Sequence, residues 1–173
     1  INVIDITTTK IENNPLCFGS SDGNVMVIPS GGQIPYSYSW SPGGNSTPSV
    51  SGLPQGSYIV TITDNLGCVQ IDTLTLVDPP KLIASITNTK PVSCFGGNDG
   101  AIIVSATGGT IPYSYAWAPV SGNSNVLTGL PIGNYYVTIT DANGCMDSIM
   151  STITEPPLLT ATIIDSIDIL CNG

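Results

Sequence analysis

One property limits what this chain can fold into more than any other: shifted by 77 positions, it falls on itself. Cys17 lands on Cys94, Trp40 on Trp117, Tyr58 on Tyr135, Cys68 on Cys145 and Cys94 on Cys171, without an insertion or deletion. Between residues 17–93 and 94–170, 33 of 77 positions are identical. A fixed period of this length marks one structural module set in series, so the 173 residues hold about two and a quarter copies. The expected boundaries are 1–79 for a first repeat module, 80–156 for a second, and 157–173 for the first strand of a truncated third. A series of near-copies suits a role that spans distance or presents equal surfaces, whereas an active site needs to exist only once.

Charge narrows the functional classes. The chain has twelve acidic residues, three lysines (Lys10, Lys81, Lys90), no Arg and no His, for a net charge of −9. Neutralising a phosphate backbone takes clustered Lys and Arg, so nucleic acid is not an expected partner. An anionic membrane surface is disfavoured for the same reason. Without His, Ser-His-Asp and Cys-His catalysis and His-ligated metals fall away, and the chain is not expected to be an enzyme. The longest apolar runs span a few residues, far short of the roughly 20 that cross a bilayer, so no membrane insertion is expected. Any export leader is expected to precede Ile1.

Within one period, β-branched and aromatic segments alternate with turn clusters. Strand-length runs are Val25–Ile28, Tyr36–Trp40, Tyr58–Thr63, Val69–Val77 and Leu82–Thr87, while Asp22-Gly23, Gly31-Gly32, Pro42-Gly43-Gly44, Gly52-Leu53-Pro54 and Asp64–Gly67 read as breakers. No helical period is sustained. The predicted fold is all-β, a tandem of antiparallel sandwiches, each of about seven strands. Tyr36, Tyr38 and Trp40 fall two apart and share a face, as do Tyr113, Tyr115 and Trp117. Trp40 and Trp117 are therefore assigned to the core. The Gly-x-Tyr at Tyr58 and Tyr135 opens a strand as a tyrosine corner does, a stability device. Asp78-Pro79-Pro80 and Glu155-Pro156-Pro157 mark the module edges, and paired prolines predict stiff linkers.

Two cysteines per period, 51 residues apart, with no metal-ligand spacing, predict disulfides in an oxidising compartment involving Cys17, Cys68, Cys94 and Cys145. Cys171 opens the third copy, and its partner is expected outside this chain. Three pairings stay open. Closure within a module would join Cys17 to Cys68 and Cys94 to Cys145, yet in an ordinary sandwich those positions lie at opposite ends. Cys17 with Cys145 across the junction, and Cys68 with Cys94, are the others.

The motifs Cys-Phe-Gly-x-x-Asp-Gly, Gly-Gly-x-Ile-Pro-Tyr-Ser-Tyr-x-Trp and Gly-Leu-Pro-x-Gly-x-Tyr-x-Val-Thr-Ile-Thr-Asp-x-x-Gly-Cys together resemble the SprB repeat. That family occurs in very large surface adhesins of gliding Bacteroidetes and in related proteins exported by type IX secretion. The resemblance implies immunoglobulin- or PKD-like sandwich modules on an extracellular filament at the bacterial cell surface, associated with the outer membrane. It implies three kinds of partner: extracellular polysaccharide or a solid surface, neighbouring repeats of the same chain, and gliding or secretion machinery met through regions outside this chain. The alternative functions are a carbohydrate-binding accessory module of a secreted polysaccharide-degrading enzyme, or a spacer in a matrix or surface layer.

Three further sets of residues are candidates. Tyr36 and Tyr113 would stack on sugars if exposed, with core packing as the competing role. Asp22, Asp64, Asp99 and Asp141 lie in Gly-rich turns, where calcium is a candidate ligand and turn capping the simpler role, since each turn carries a single Asp. Thr73, Ser148 and Ser166 follow Asp and precede an apolar residue, a pattern similar to the O-glycosylation site of exported Bacteroidetes proteins. No other cofactor is expected.

Overall fold

The computed structural model describes residues 5–162; Ser166, Cys171 and most of the expected third-module strand lie outside them. Every regular element among the described residues is a strand. The first period carries β1 (Thr7–Asn13), β2 (Gly23–Ser30), β3 (Ser37–Ser41), β4 (Ser49–Leu53), β5 (Gly56–Thr63) and β6 (Val69–Leu76). The second repeats them as β7 (Ile83–Lys90), β8 (Gly100–Thr107), β9 (Ser114–Ala118), β10 (Val126–Leu130), β11 (Gly133–Thr140) and β12 (Met146–Ile153). They form four three-stranded sheets, ordered β1-β2-β4, β3-β5-β6, β10-β8-β7 and β12-β11-β9.

Alternation explains why these segments are strands. In β5, Tyr58, Val60 and Ile62 are buried while Ser57 and Ile59 face outward, and β6 pairs with it in unbroken antiparallel register from Gly56↔Leu76 to Thr63↔Val69. Val25 and Val27 on β2, Trp40 on β3 and Leu74 and Leu76 on β6 meet them in one cluster with Ile6. Two sheets thus close over a shared apolar layer. At about 1.5–3 kcal/mol for each fully buried aliphatic side chain, this layer is the main stabilising element of the first six strands. Ile102, Val104, Trp117, Leu130, Tyr135, Val137 and Ile153 are the corresponding buried residues of the second period.

Among the described residues each period holds six strands, which corrects the expected seven. Residues 42–48, where a further strand would run, read Pro-Gly-Gly-Asn-Ser-Thr-Pro, and Gly43 and Gly44 both take positive φ. The segment Gly52-Leu53-Pro54, read above as a breaker, instead ends a strand. Gly52 has φ 73°, and the pairing steps over it, from Asn24↔Ser51 to Gly23↔Leu53. Such a bulge needs a residue without a Cβ, so a glycine here signals strand irregularity rather than chain reversal.

The ring N–H and hydroxyl groups of the buried aromatics are satisfied. The Trp40 Nε1–H donates to the Thr47 carbonyl at 2.8 Å, and Trp117 does the same to Ser124 at 2.8 Å. The Tyr58 hydroxyl donates to the Pro54 carbonyl at 2.7 Å and that of Tyr135 to Pro131 at 2.9 Å, pinning the chain that leads into β5 and β11.

By compactness the described chain divides into two units, one of residues 5–84, 106–114 and 138–147, the other of 85–105, 115–137 and 148–162. The division departs from the sequence period. The first unit takes in the start of β7 and two turns of the second repeat, and Pro79 and Pro80 lie within it.

Candidate functional site

The most developed polar and covalent cluster outside the core surrounds Cys17, and all of it belongs to the first compact unit. It is built from Asp141. This buried carboxylate accepts the amide N–H groups of Thr110 (2.8 Å), Asn143 (2.9 Å) and Cys145 (2.9 Å), while the Asp141 amide donates to the Cys145 carbonyl at 2.9 Å. Such a turn fixes the Cys145 backbone. Cys17 is fixed in a similar way, in a turn closed by the Ser20 amide on the Cys17 carbonyl at 3.0 Å. A disulfide joins Cys17 to Cys145, 128 residues apart.

Around the bond the polar contacts continue. The Asn143 amide side chain donates to the Leu16 carbonyl (3.2 Å) and to the Thr110 hydroxyl (3.1 Å). Asp147 accepts the Ala84 N–H at 2.7 Å, and the Gly109 N–H donates to the Pro80 carbonyl at 2.7 Å. Leu82 is buried, 5% exposed, beneath Gly109. Gly108 comes so close to the backbone that an added Cβ would stand 1.9 Å from the Lys81 carbonyl oxygen, and its φ is 70°. Gly108→Ala therefore meets both a backbone clash and a left-handed conformation. It is expected to destabilise the first unit by about 3 kcal/mol, measured as a shift in the urea midpoint.

Of the three pairings left open, the bond formed is Cys17–Cys145 across the junction; Cys17 does not pair with Cys68, nor Cys94 with Cys145. The reason is the one sandwich geometry supplies, since Cys17 precedes β2 and Cys68 lies beyond the far end of β5. Cys68 and Cys94, both expected in disulfides, carry free thiols, the former half-buried and the latter exposed.

The other candidates are placed as follows. Tyr36 and Tyr113 are half-buried, and their hydroxyls donate to the Gly31 and Gly108 carbonyls, the latter at 2.6 Å. Tyr36 and Tyr38 pack against the first core. Thr73 on β6 and Ser148 on β12 are exposed, whereas Asp72, which precedes Thr73, accepts the Thr8 hydroxyl. Asp64 mirrors Asp141, accepting the amides of Gln33 (3.0 Å), Leu66 (2.9 Å) and Cys68 (2.8 Å). Asp22 accepts the Leu16 amide at 3.1 Å and the Ser20 hydroxyl. Asp99 accepts the Ser93 amide at 2.8 Å, the Ser93 hydroxyl, and Lys90 Nζ at 3.0 Å. The described residues include no group of three or more Cys, Asp or Glu side chains arranged to hold a metal ion, and the four turn carboxylates accept backbone N–H groups. No helix among them is long and apolar enough to cross a membrane.

These contacts shape the titration. The Gln33 amide, with those of Cys68, Leu66 and Gly67, holds the Asp64 carboxyl below the usual aspartate range against the opposing effect of burial. At Asp141 burial is the largest influence and pushes upward, but the Thr110, Cys145, Asn143 and Gly144 amides together outweigh it and the net shift is downward. A carboxyl depressed in the folded state contributes stability that is complete above its unfolded value, about 3.9, and is lost as pH falls through the folded value. Thermal midpoints are accordingly expected to hold level from neutral pH to about pH 5 and to fall below about pH 4. In the Asp64→Asn, Asp141→Asn double variant the fall is shallower.

Sequence reasoning named Cys17, Cys145 and Asp141 but missed Asn143, Leu82, Asp147 and the Gly108 contact. A signal existed for Asn143. It aligns with Leu66, which is 73% exposed, so the two copies differ at a turn position whose side chain donates to the Leu16 carbonyl.

Comparison with known proteins agrees with the sequence reading at two places. The SprB repeat family model matches residues 9–45 and 86–122. Among curated proteins, none matches. Among solved structures, the N-terminal eight Ig domains of Down Syndrome Cell Adhesion Molecule (DSCAM) isoform 1.30.30 align over 90% of this chain at 15% identity and a TM-score of 0.42. This chain spans 25% of that one. The structure of DIP-gamma IG1+IG2 aligns over 87% of this chain and 97% of its own, at 11% identity and a TM-score of 0.37.

Proposed function

We propose that this chain, two segments of which match the SprB repeat, is a stretch of the non-catalytic stalk of a bacterial cell-surface adhesin, and that its work is mechanical. One observation carries the reading: the disulfide ties residues of one sequence period to residues of the next. A bond placed there does nothing for a binding pocket inside a module, but it makes consecutive repeats share load. The low content of charged residues, 9%, and the polar loops suit contact with hydrated surfaces. Export by type IX secretion and movement by gliding machinery are part of the proposal through the family, as is adhesion to polysaccharide or a solid surface.

Pulling the chain by its ends tests the mechanical reading. With the bond intact, the 128-residue separation between Cys17 and Cys145 is withheld from extension. Reduction should release about 430 Å of additional contour at roughly 3.4 Å per residue. Equal contour lengths before and after reduction would refute load sharing. On cells, antibody to this chain should label the unpermeabilised surface, and deletion of the encoding gene should lower attachment to glass. Tight binding of soluble polysaccharide by the isolated chain, with attachment unchanged on deletion, would favour the accessory-module reading instead.

A further inference from the structure

In the second compact unit, the residues one period after Cys17 repeat its setting closely. The Gly97 amide closes a turn on the Cys94 carbonyl at 2.9 Å, as Ser20 does on Cys17 at 3.0 Å. Glu155 accepts the Gly96 N–H at 2.8 Å, as Asp78 accepts that of Gly19 at 2.8 Å. Asp99 accepts the Ser93 amide as Asp22 accepts that of Leu16. The cysteine turn is thus formed in full without a bonded partner. Cover is what differs. Leu82 is 5% exposed, whereas Leu159, its equivalent 77 residues on, is 94% exposed, and Leu158 and Phe95 stand 60% and 53% exposed beside it. These residues, with Cys94, Pro156 and Pro157, line a cleft of about 390 Å³. The equivalent cleft one period earlier holds about 220 Å³, and there Cys145, Met146 and Asp147 of the later repeat supply one wall.

We propose that the cleft formed by Cys94, Phe95 and Pro156–Leu159 is the docking seat of a further copy of the same repeat, and that the cross-period disulfide recurs there. The occupant is identified by continuity with the covered seat at Cys17. There, the wall and the thiol come from the turn that follows the next copy's fifth strand, and the cap over Leu82 comes from that copy's Gly-Gly turn. Cys94 then bonds the cysteine that repeats Cys145. In the chemical step, the Cys94 thiolate attacks a small-molecule disulfide and releases one thiolate of that oxidant. The incoming cysteine's thiolate next attacks the Cys94 sulfur of the mixed disulfide and releases the second, so two protein thiols are oxidised and one disulfide is reduced to two thiols. The inference rests on the reading of the chain as part of a repeat array.

The test extends the chain: residues 1–170 followed by a second run of 94–173, produced with oxidised and reduced glutathione present. In the 173-residue chain, Cys94 should be alkylated under non-reducing conditions while Cys17 and Cys145 are protected. In the extended chain, Cys94 labelling should fall at least about tenfold, and non-reducing digestion should yield a peptide joining Cys94 to the added copy of Cys145. A Cys94 that stays labelled, or that bonds any other cysteine, while Cys17–Cys145 is oxidised in the same molecule would overturn the proposal. A second readout does not depend on the bond. In the extended Cys94→Ser chain, Leu159→Trp should emit at shorter wavelength than in the unextended one, and unchanged emission would likewise count against docking. Neither readout involves a surface or a sugar, so docking can hold where adhesion fails, and the reverse.

Discussion

The Cys17→Ser, Cys145→Ser double variant is expected to lose up to about 5 kcal/mol of unfolding free energy in the first compact unit. The estimate follows from the 128-residue separation, because cross-linking removes loop-closure entropy from the unfolded chain and the effect grows with the logarithm of loop length. Both cysteines change together so that no thiol is stranded. Urea titration followed by Trp fluorescence reads the loss, with Cys94→Ser as the control, since that thiol is free and exposed. A loss no larger than the control's would mean that the cross-link gives the folded unit no net advantage over the unfolded chain.

Trp40→Ala should cost a similar amount, about 3–5 kcal/mol. Trp40 is 2% exposed, packs within the cluster of Val25, Val60, Ile62 and Leu74, and satisfies the Thr47 carbonyl through its ring N–H. Truncation leaves a cavity that a β-sandwich core closes poorly and also removes the donor from a backbone acceptor. Trp40→Phe separates the two effects, keeping most of the volume and losing the hydrogen bond. It is expected to cost well under half as much. Equal losses for Ala and Phe would place the stabilisation in the hydrogen bond rather than in packing.

The legible part of the fold was the part written in alternation. Tyr36-Ser37-Tyr38-Ser39-Trp40 and Tyr58–Thr63 place apolar groups two apart, and a half-buried sheet imposes that spacing directly. β4 and β10 escaped because Ser49–Leu53 offers one β-branched residue and a glycine, and its pairing to β2 comes from the neighbouring strand rather than from its own propensity. The seventh strand was an inference from module length, and residues 42–48 spend that length on a turn instead. At the candidate site, the turn chemistry of Asp141 could be read from Asp-x-x-Gly-Cys. The partner of Cys145 could not, since it depends on where a turn 128 residues away comes to lie, and no local pattern records such a distance.

The same bond decides what a protease can do to this molecule. A single cut at any peptide bond between Cys17 and Cys145 leaves two fragments still held by sulfur, so a nicked chain should migrate as one species without reductant and separate only when thiol is added. Were the bond to recur at the following junction, each successive crossing would overlap the last, and one broken peptide bond between them would never sever a filament from its far end. Resistance to parting after damage, more than rigidity while intact, is then what this arrangement offers a protein that lives outside the cell.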